Sequence, residues 1–438
     1  MTAEIAVMNK HGVAIAADSA VTAGSGEDAK VFNTANKIFA LSNRHPVGIM
    51  AFGGADFMGV PWEVVIKEYR CRLGLNDFDR LRDYATDFMR FLRDAKDLFP
   101  DSPRTRHFDE SVSGYFLNRI LAEIDRTLQK LAQTGAHIDQ ARIGQVVCRV
   151  IENHHGHWMR ATLAEGVDAG TPSRIQQEFA KNIDDINRQV FEKLPLTSED
   201  KQRLSEIASA LFTKYPSGIE NPSQSGLVFA GYGKNDFFPS VYSHSVEGPV
   251  LDALKQRLDI ETIISHDVAA AIVPFAQKET VQTFMEGIDP DLGDAILEAV
   301  DGLLKEYDKY ISTQLGTMAV ADKERISKAI RANSQRLLGV FSQNLKQVVR
   351  SSHVDPVLDV VEMLPKPELA SMAESLVNLP SMRRRLSIGT ETVGGPIDVA
   401  VISKHDGFVW IKRKHYFGSE LNPRVIARQQ KECTDADE

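Results

Sequence analysis

Strand-patterned blocks stand at both ends of this chain with long stretches of helical period between them, which restricts the fold to architectures that bring the two ends together in a sheet. At the start, Ile5 and Val7 are answered by Val13 and Ile15 across Asn9-Lys10-His11-Gly12. That reads as a hairpin, with Gly12 expected at positive φ in the turn. A second pair is read at 37–41 and 47–52, separated by the polar Ser42-Asn43-Arg44-His45-Pro46 and ended by Gly53-Gly54. At the far end, 397–403 and 407–412 flank the turn Lys404-His405-Asp406.

From about Asp56 the period becomes helical and stays so to about Tyr215, with loops expected around Asp101-Ser102-Pro103 and Thr171-Pro172. Strand signals return at 226–232, 240–243 and 260–264, the first two around Lys234-Asn235-Asp236. Helical patterns follow at 277–285 and 291–310, continue through 349, and close at 368–379. Strands at both ends with helices between them give a layered α+β chain whose terminal strands share one sheet.

Composition excludes several functions. The chain has 438 residues and a formal charge of -9, and neither nucleic acid nor anionic lipid attracts such a surface without clustered cations. Two short basic stretches, Arg383-Arg384-Arg385 and Lys412-Arg413-Lys414, read as solvated faces or subunit contacts. No apolar run approaches the roughly 20 residues needed to span a bilayer, and the sequence reaches Glu4 without the regions of a signal peptide, so the expected location is the cytoplasm. Cys71, Cys148 and Cys433 are too scattered for a disulfide framework or a thiolate metal site. His154-His155-Gly156-His157 reads as a polar surface turn rather than a metal site, and Gly24-Ser25-Gly26 lacks the lysine of a phosphate cradle. No cofactor and no metal is implied.

Four blocks in order and spacing resemble the proteasome β-subunit family: 2–7, 12–19, Lys37-Ile38-Phe39, and Phe52-Gly53-Gly54-Ala55-Asp56. The segment 394–402 resembles that family's last strand pair, and 226–243 a central one. The resemblance covers roughly 170 residues in separated blocks. It implies a four-layer αββα sandwich of the N-terminal-nucleophile (Ntn) hydrolases, enlarged by helical insertions. The implied boundaries are a core at 2–56, an insertion at 57–220, core again at 221–286, an insertion at 287–360, C-terminal core strands at 361–416 and a tail at 417–438.

The same resemblance implies a threonine-type peptidase or amidase with Thr2, exposed by removal of Met1, as nucleophile. A hydroxyl needs a base beside it, and an N-terminal threonine carries one in its own α-amine. With an ordinary pKa of about 7.7 to 8.0, only some 10 to 20% of that amine is basic at neutral pH. Lys37 on a neighbouring strand would lower the value by like charge, and Asp18 would hold the ammonium. The Gly53 amide is the matching oxyanion donor. Active relatives place a serine in a Gly-Ser-Gly turn before a long helix, where this chain is read as Ala270-Ala271-Ile272-Val273-Pro274-Phe275. They also place an aspartate and a serine before the final Gly-Gly, where it has Thr390-Glu391-Thr392-Val393; Thr390 and Thr392 are the candidate supporting hydroxyls. The alternative is a ring or scaffold subunit that keeps the fold without catalysis. Expected partners are a peptide or amide substrate and further copies of the chain in a homo-oligomer; the sequence names no unfoldase.

Overall fold

The computed structural model describes residues 3–23, 30–135, 137–216, 224–314, 320–385, 394–415 and 417–424. The first strands are β1 (Glu4–Asn9), β2 (Gly12–Ala17), β3 (Val21–Ala23), β4 (Lys30–Phe32), β5 (Ile38–Ala40), β6 (Val47–Gly53), β7 (Asp56–Phe57) and β8 (Val60–Pro61). Helices follow as α1 (Trp62–Leu73), α2 (Leu81–Asp94), α3 (Asp101–Tyr115), α4 (Ala122–Gln133) and α5 (Gln140–Arg160). After β9 (Thr162–Leu163) come α6 (Thr171–Glu178), α7 (Ala180–Phe191), α8 (Ser198–Leu211) and β10 (Lys214–Tyr215). The second half holds β11 (Ser225–Gly231), β12 (Ser240–Val246), β13 (Gln256–Ile263), β14 (Ala270–Ala276), α9 (Lys278–Glu286), α10 (Pro290–Gln314) and α11 (Val320–Val349). It ends with α12 (Asp355–Met363), α13 (Lys366–Arg385), β15 (Asp398–Ser403) and β16 (Gly407–Lys412). No helix among the described residues is long and apolar enough to cross a membrane.

The chain divides into two compact units, one from residues within 1–35 and 263–421, the other from residues within 36–262 and 422–438. In the first, an antiparallel sheet runs in the order β14-β1-β2-β15-β16. β2 therefore lies between its hairpin partner and a strand almost 390 positions later, and the two ends of the chain share a sheet as their patterning requires. Ile5, Val7, Ala14, Ala16, Val399 and Val401 turn one face toward Val281, Val361, Leu369 and Leu376 of α9, α12 and α13. Both faces of β1 and β2 are buried, which explains why these strands read as nearly continuous apolar runs.

The β1–β2 turn is tighter than a glycine-dependent one. Asn9 pairs with Gly12, and the Asn9 side-chain oxygen accepts from the His11 amide at 2.8 Å, a local Asx bond that closes the hairpin. Gly12 is not at positive φ, contrary to the expectation from sequence. Its smallness is demanded elsewhere: a Cβ there would stand 2.7 Å from the Ile402 carbonyl oxygen of β15.

In the second unit the sheet order is β13-β12-β11-β6-β5, with Ile38 opposite Met50 and Met50 opposite Val228. α1 and α2 cover one face, where Ile49, Leu227, Phe229 and Tyr242 meet Ile66, Tyr69, Phe88 and Leu92. Phe88 and Phe229 make an edge-to-face pair at 5.6 Å, the geometry aromatic quadrupoles favour. α3 through α8 build a separate core around Phe108, Phe116, Val147, Ile151, Trp158 and Ile207. A buried ion pair joins Lys255 to Glu247 at 2.9 Å, and the same ammonium donates to the Leu211 carbonyl at the end of α8 at 2.8 Å.

Two expected loops are helix starts. Asp101-Ser102-Pro103 opens α3 and Thr171-Pro172 opens α6. Proline lacks an N–H and fixes φ near the helical value, so the first turn, whose amides have no intrahelical acceptor, tolerates it well.

Candidate active site

In the first unit the site is built where β1 and β2 open. The Asp18 amide donates to the Ala3 carbonyl at 3.1 Å and continues the hairpin ladder one step beyond β1 and β2. Asp18 itself is 1% exposed, and its carboxylate divides its two oxygens between two amides: Ala3 N–H donates to Oδ1 and Gly394 N–H to Oδ2, each at 3.1 Å. A buried carboxylate is tolerated only with such donors. The Ala3 nitrogen is the amide through which Thr2 is joined to the chain, so Asp18 holds the first described residue after the candidate nucleophile.

The Gly394-Gly395 segment is anchored by the neighbour of Asp18. Ser19 N–H donates to the Gly394 carbonyl at 3.3 Å, and the Ser19 hydroxyl donates to the Pro396 carbonyl. Gly395 has φ +81, and a Cβ there would stand 2.8 Å from the Asn33 carbonyl oxygen, so this turn requires glycine. Ser19 was not singled out in the sequence; its signal is a hydroxyl directly after an aspartate at the end of an apolar strand. Glu4 lies buried at the same end of β1.

In the second unit Lys37 precedes β5 and is 4% exposed, which excludes a surface strand residue. Its carbonyl accepts from the Ala51 amide at 3.0 Å. Gly53 ends β6 two positions beyond that partner, so Lys37 and Gly53 occupy the same end of the β5–β6 pair. Gly53 is exposed, with φ +82, and a Cβ there would stand 2.7 Å from the Gln224 carbonyl oxygen. Gly54 lies as tightly against the Ser225 hydroxyl, which accepts from the Trp62 indole N–H at 3.2 Å. The Gly-Gly pair is thus a backbone element pressed against β11 with its strand end open to solvent.

Beside Gly54 lies a cavity of about 440 Å³ bordered by Asp56, Met58, Arg106, His107, Glu110 and Gly248. Burial pushes the His107 pKa below its ordinary value, opposed by the carboxylates of Glu247 and Glu110. The imidazole there is neutral at neutral pH.

Thr2, Thr390 and Thr392 lie outside the described residues. The reading of 270–275 as a turn before a helix is corrected: Ala270–Ala276 is β14, paired with β1, with Ile5 opposite Pro274. The residues before α9 are Ala276-Gln277, and Gln277 sits at φ +51, the left-handed region that glycine prefers. An apolar run of seven fits a strand as well as a turn flank, and its partner β1 lies at the far end of the sequence, beyond the reach of local pattern. The histidine cluster is also corrected, since 154, 155 and 157 lie within α5 rather than in a turn. His154 Nδ1 meets the Tyr115 hydroxyl at 2.9 Å and His155 Nε2 the Glu206 carboxylate at 2.5 Å, so the rings diverge. No group of three metal-ligating side chains occurs among the described residues.

These features define a mixed α and β chain with two five-stranded antiparallel sheets and a glycine-rich, carboxylate-anchored strand end. No family model matches the sequence, and no curated protein matches it. Among solved structures it is similar to the Anbu (Gly-1) mutant from Hyphomicrobium sp. strain MC1, at 10% identity, over 98% of this chain and 96% of that one, with a TM-score of 0.27. So low a score assigns no residue role and no activity to this chain.

Proposed function

We propose that the chain is a proteasome-like N-terminal-nucleophile hydrolase with a four-layer αββα core, a threonine-type peptidase or amidase acting through Thr2. The observation that carries the reading is Asp18: a fully buried carboxylate that fixes the amide of Ala3 and the Gly394-Gly395 turn together. A nucleophile at the chain terminus needs its backbone held, and Asp18 supplies that hold through the Ala3 amide.

In the proposed reaction the Thr2 hydroxyl attacks the carbonyl of a peptide or amide while its own α-amine takes the proton. The oxyanion of the tetrahedral intermediate is received by the Gly53 N–H. Collapse breaks the C–N bond and the ammonium returns its proton to the departing amine, leaving an acyl ester on Thr2. Water, deprotonated by the same amine, then releases the acid. Lys37 serves as the cation that keeps the amine basic, and Asp18 as the positioning carboxylate.

A second reading, a non-catalytic ring or scaffold subunit, draws support from Gln277, since the turn before α9 carries no serine. Turnover separates the two. Purified protein is assayed on peptide and simple amide substrates beside Thr2→Ala and Thr2→Ser. The catalytic reading expects loss of turnover in the alanine variant and partial retention in the serine variant; equal turnover in wild type and Thr2→Ala excludes Thr2 as nucleophile.

A further inference from the structure

α10 and α11 form an antiparallel hairpin: Ser312 meets Ser327 at 3.4 Å, and Ser334 donates to Asp308 at 2.7 Å. Among the described residues of these two helices no side chain is buried, although at 25 and 30 residues they are longer than any other helix described. Each carries more apolar surface than the hairpin contact uses. The α10 residues turned toward α11 recur near 297, 300, 304, 308 and 311. A second α10 stripe, Leu292, Leu303, Tyr307 and Tyr310, is left in solvent, with Leu303 67% and Tyr310 63% exposed. On α11 the corresponding stripe is Leu337, Val340, Phe341 and Val348, with Val348 58% exposed.

At about 100° per residue the α10 stripe lies about 100° from that helix's contact line, and the α11 stripe about 70° from the line through Ser327 and Ser334, in the same rotational sense. Because the helices are antiparallel, rotations of one sense place both stripes on the same side of the hairpin. The result is one continuous apolar face, two helices wide. With a length of about 37 Å for 25 residues and about 10 Å per helix, it offers on the order of 700 Å². That is close to the roughly 800 Å² per partner of a stable interface.

Charge selects the occupant. α10 carries six carboxylates and two lysines, while α11 carries six lysines and arginines and two carboxylates. We propose that this face is covered by the same face of a second copy of the chain, with the two-fold axis parallel to the helices, so that the acidic α10 of each copy lies over the basic α11 of the other. The alternative axis, perpendicular to the helices, sets α10 on α10 and α11 on α11 and opposes like charges. In the favoured arrangement residues whose numbers sum to about 640 come level. Leu303 then faces Leu337, Leu292 faces Val348, and Glu306, at the edge of the α10 stripe, comes level with Arg336. This pairing is independent of any chemistry at Thr2.

The full-length protein at micromolar concentration, weighed by multi-angle light scattering, is expected to be a dimer or an assembly of dimers. Leu303→Glu with Tyr310→Glu should halve the mass with unchanged helical circular dichroism. Glu306→Lys should weaken the dimer at least about tenfold, and adding Arg336→Glu should restore it. A monodisperse wild-type monomer of 48.6 kDa overturns the proposal. So does an assembly that survives the double glutamate variant, and so does failure of the charge exchange to restore association.

Discussion

Single residues decide how the strand end is built. Gly53 combines a left-handed φ with a Cβ position 2.7 Å from a backbone oxygen that cannot swing away. Gly53→Ala should therefore cost about 2 kcal/mol or more, measured by urea unfolding, from backbone strain together with the clash. Lys37→Ala should lower turnover at least about a hundredfold, the lower scale for losing acid–base support. Lys37→Arg should rescue poorly, because the planar guanidinium fork differs from an ammonium in shape and hydrogen bonding. Unchanged turnover in the alanine variant would make Lys37 structural. His244, in β12, is the clearest acid-sensitive group: burial lowers its pKa to about 4, opposed by Asp259 and helped by Arg82. The folded value lies below the unfolded 6.5, so the unfolded state takes up the proton first as pH falls. Stability present above pH 6.5 is then lost between about 6.5 and 4, by about 3 kcal/mol at most. His244→Phe should reduce that slope in unfolding free energies measured across this range, and an unchanged slope would assign the acid sensitivity elsewhere.

Between elements, the β1–β2 hairpin is tied to α12 by one side chain. Asn9 donates to the carbonyls of Val361 and Leu364, both at 2.8 Å, at the helix end where the Val361 carbonyl also accepts from the Leu364 N–H at 3.2 Å. Asn9→Ala should cost about 1 to 2 kcal/mol by removing both bonds, the Val361 carbonyl keeping its bond from the Leu364 N–H. A loss under about 0.5 kcal/mol in urea unfolding would mean that solvent replaces them. This contact shows what sequence conveys and what it omits. Asn9 was legible as a turn residue, because local hydrogen bonding by asparagine operates over two positions. Its grip on residues 352 positions away was not. The same division runs through the fold. The hairpins at 4–17 and 38–53 and the closing pair at 398–412 followed from alternation and turn chemistry, since both signals are local. Pro103 and Pro172 misled because proline marks a helix start and a loop equally well. β14 was missed because an unbroken apolar run shows no alternation, and Pro274 within it is tolerated because β14 is the edge strand of its sheet. Asp18, Lys37 and Gly53 were singled out by the resemblance to the proteasome β family and not by local pattern, in which each reads as an ordinary turn or strand residue, and the anchoring of Gly394 by Asp18 and Ser19 depends on a sheet order that no local signal contains.

At the scale of the whole chain, helical periodicity announced the helices but not what they cover. α1 and α2 lie on a sheet, α3 to α8 make a core of their own, and no described side chain of α10 or α11 is fully buried. Replacing 290–349 with a short linker should leave the melting temperature within a few degrees, since little apolar area is lost from the folded chain. By contrast Leu204→Ala, in the α3–α8 core, should cost about 2 to 5 kcal/mol. Calorimetry of the two variants checks the contrast, and a collapse of stability on removing the hairpin would show that it supports the rest of the chain. The central claim is that Thr2 is a nucleophile at a free chain terminus, and covalent labelling tests it most directly. The protein is treated with a β-lactone or electrophilic peptide probe, digested, and the adduct located by mass spectrometry. The account predicts one adduct, on an N-terminal peptide that begins at Thr2, and none in Thr2→Ala; a retained Met1 with no adduct, or labelling that persists in Thr2→Ala, would contradict it.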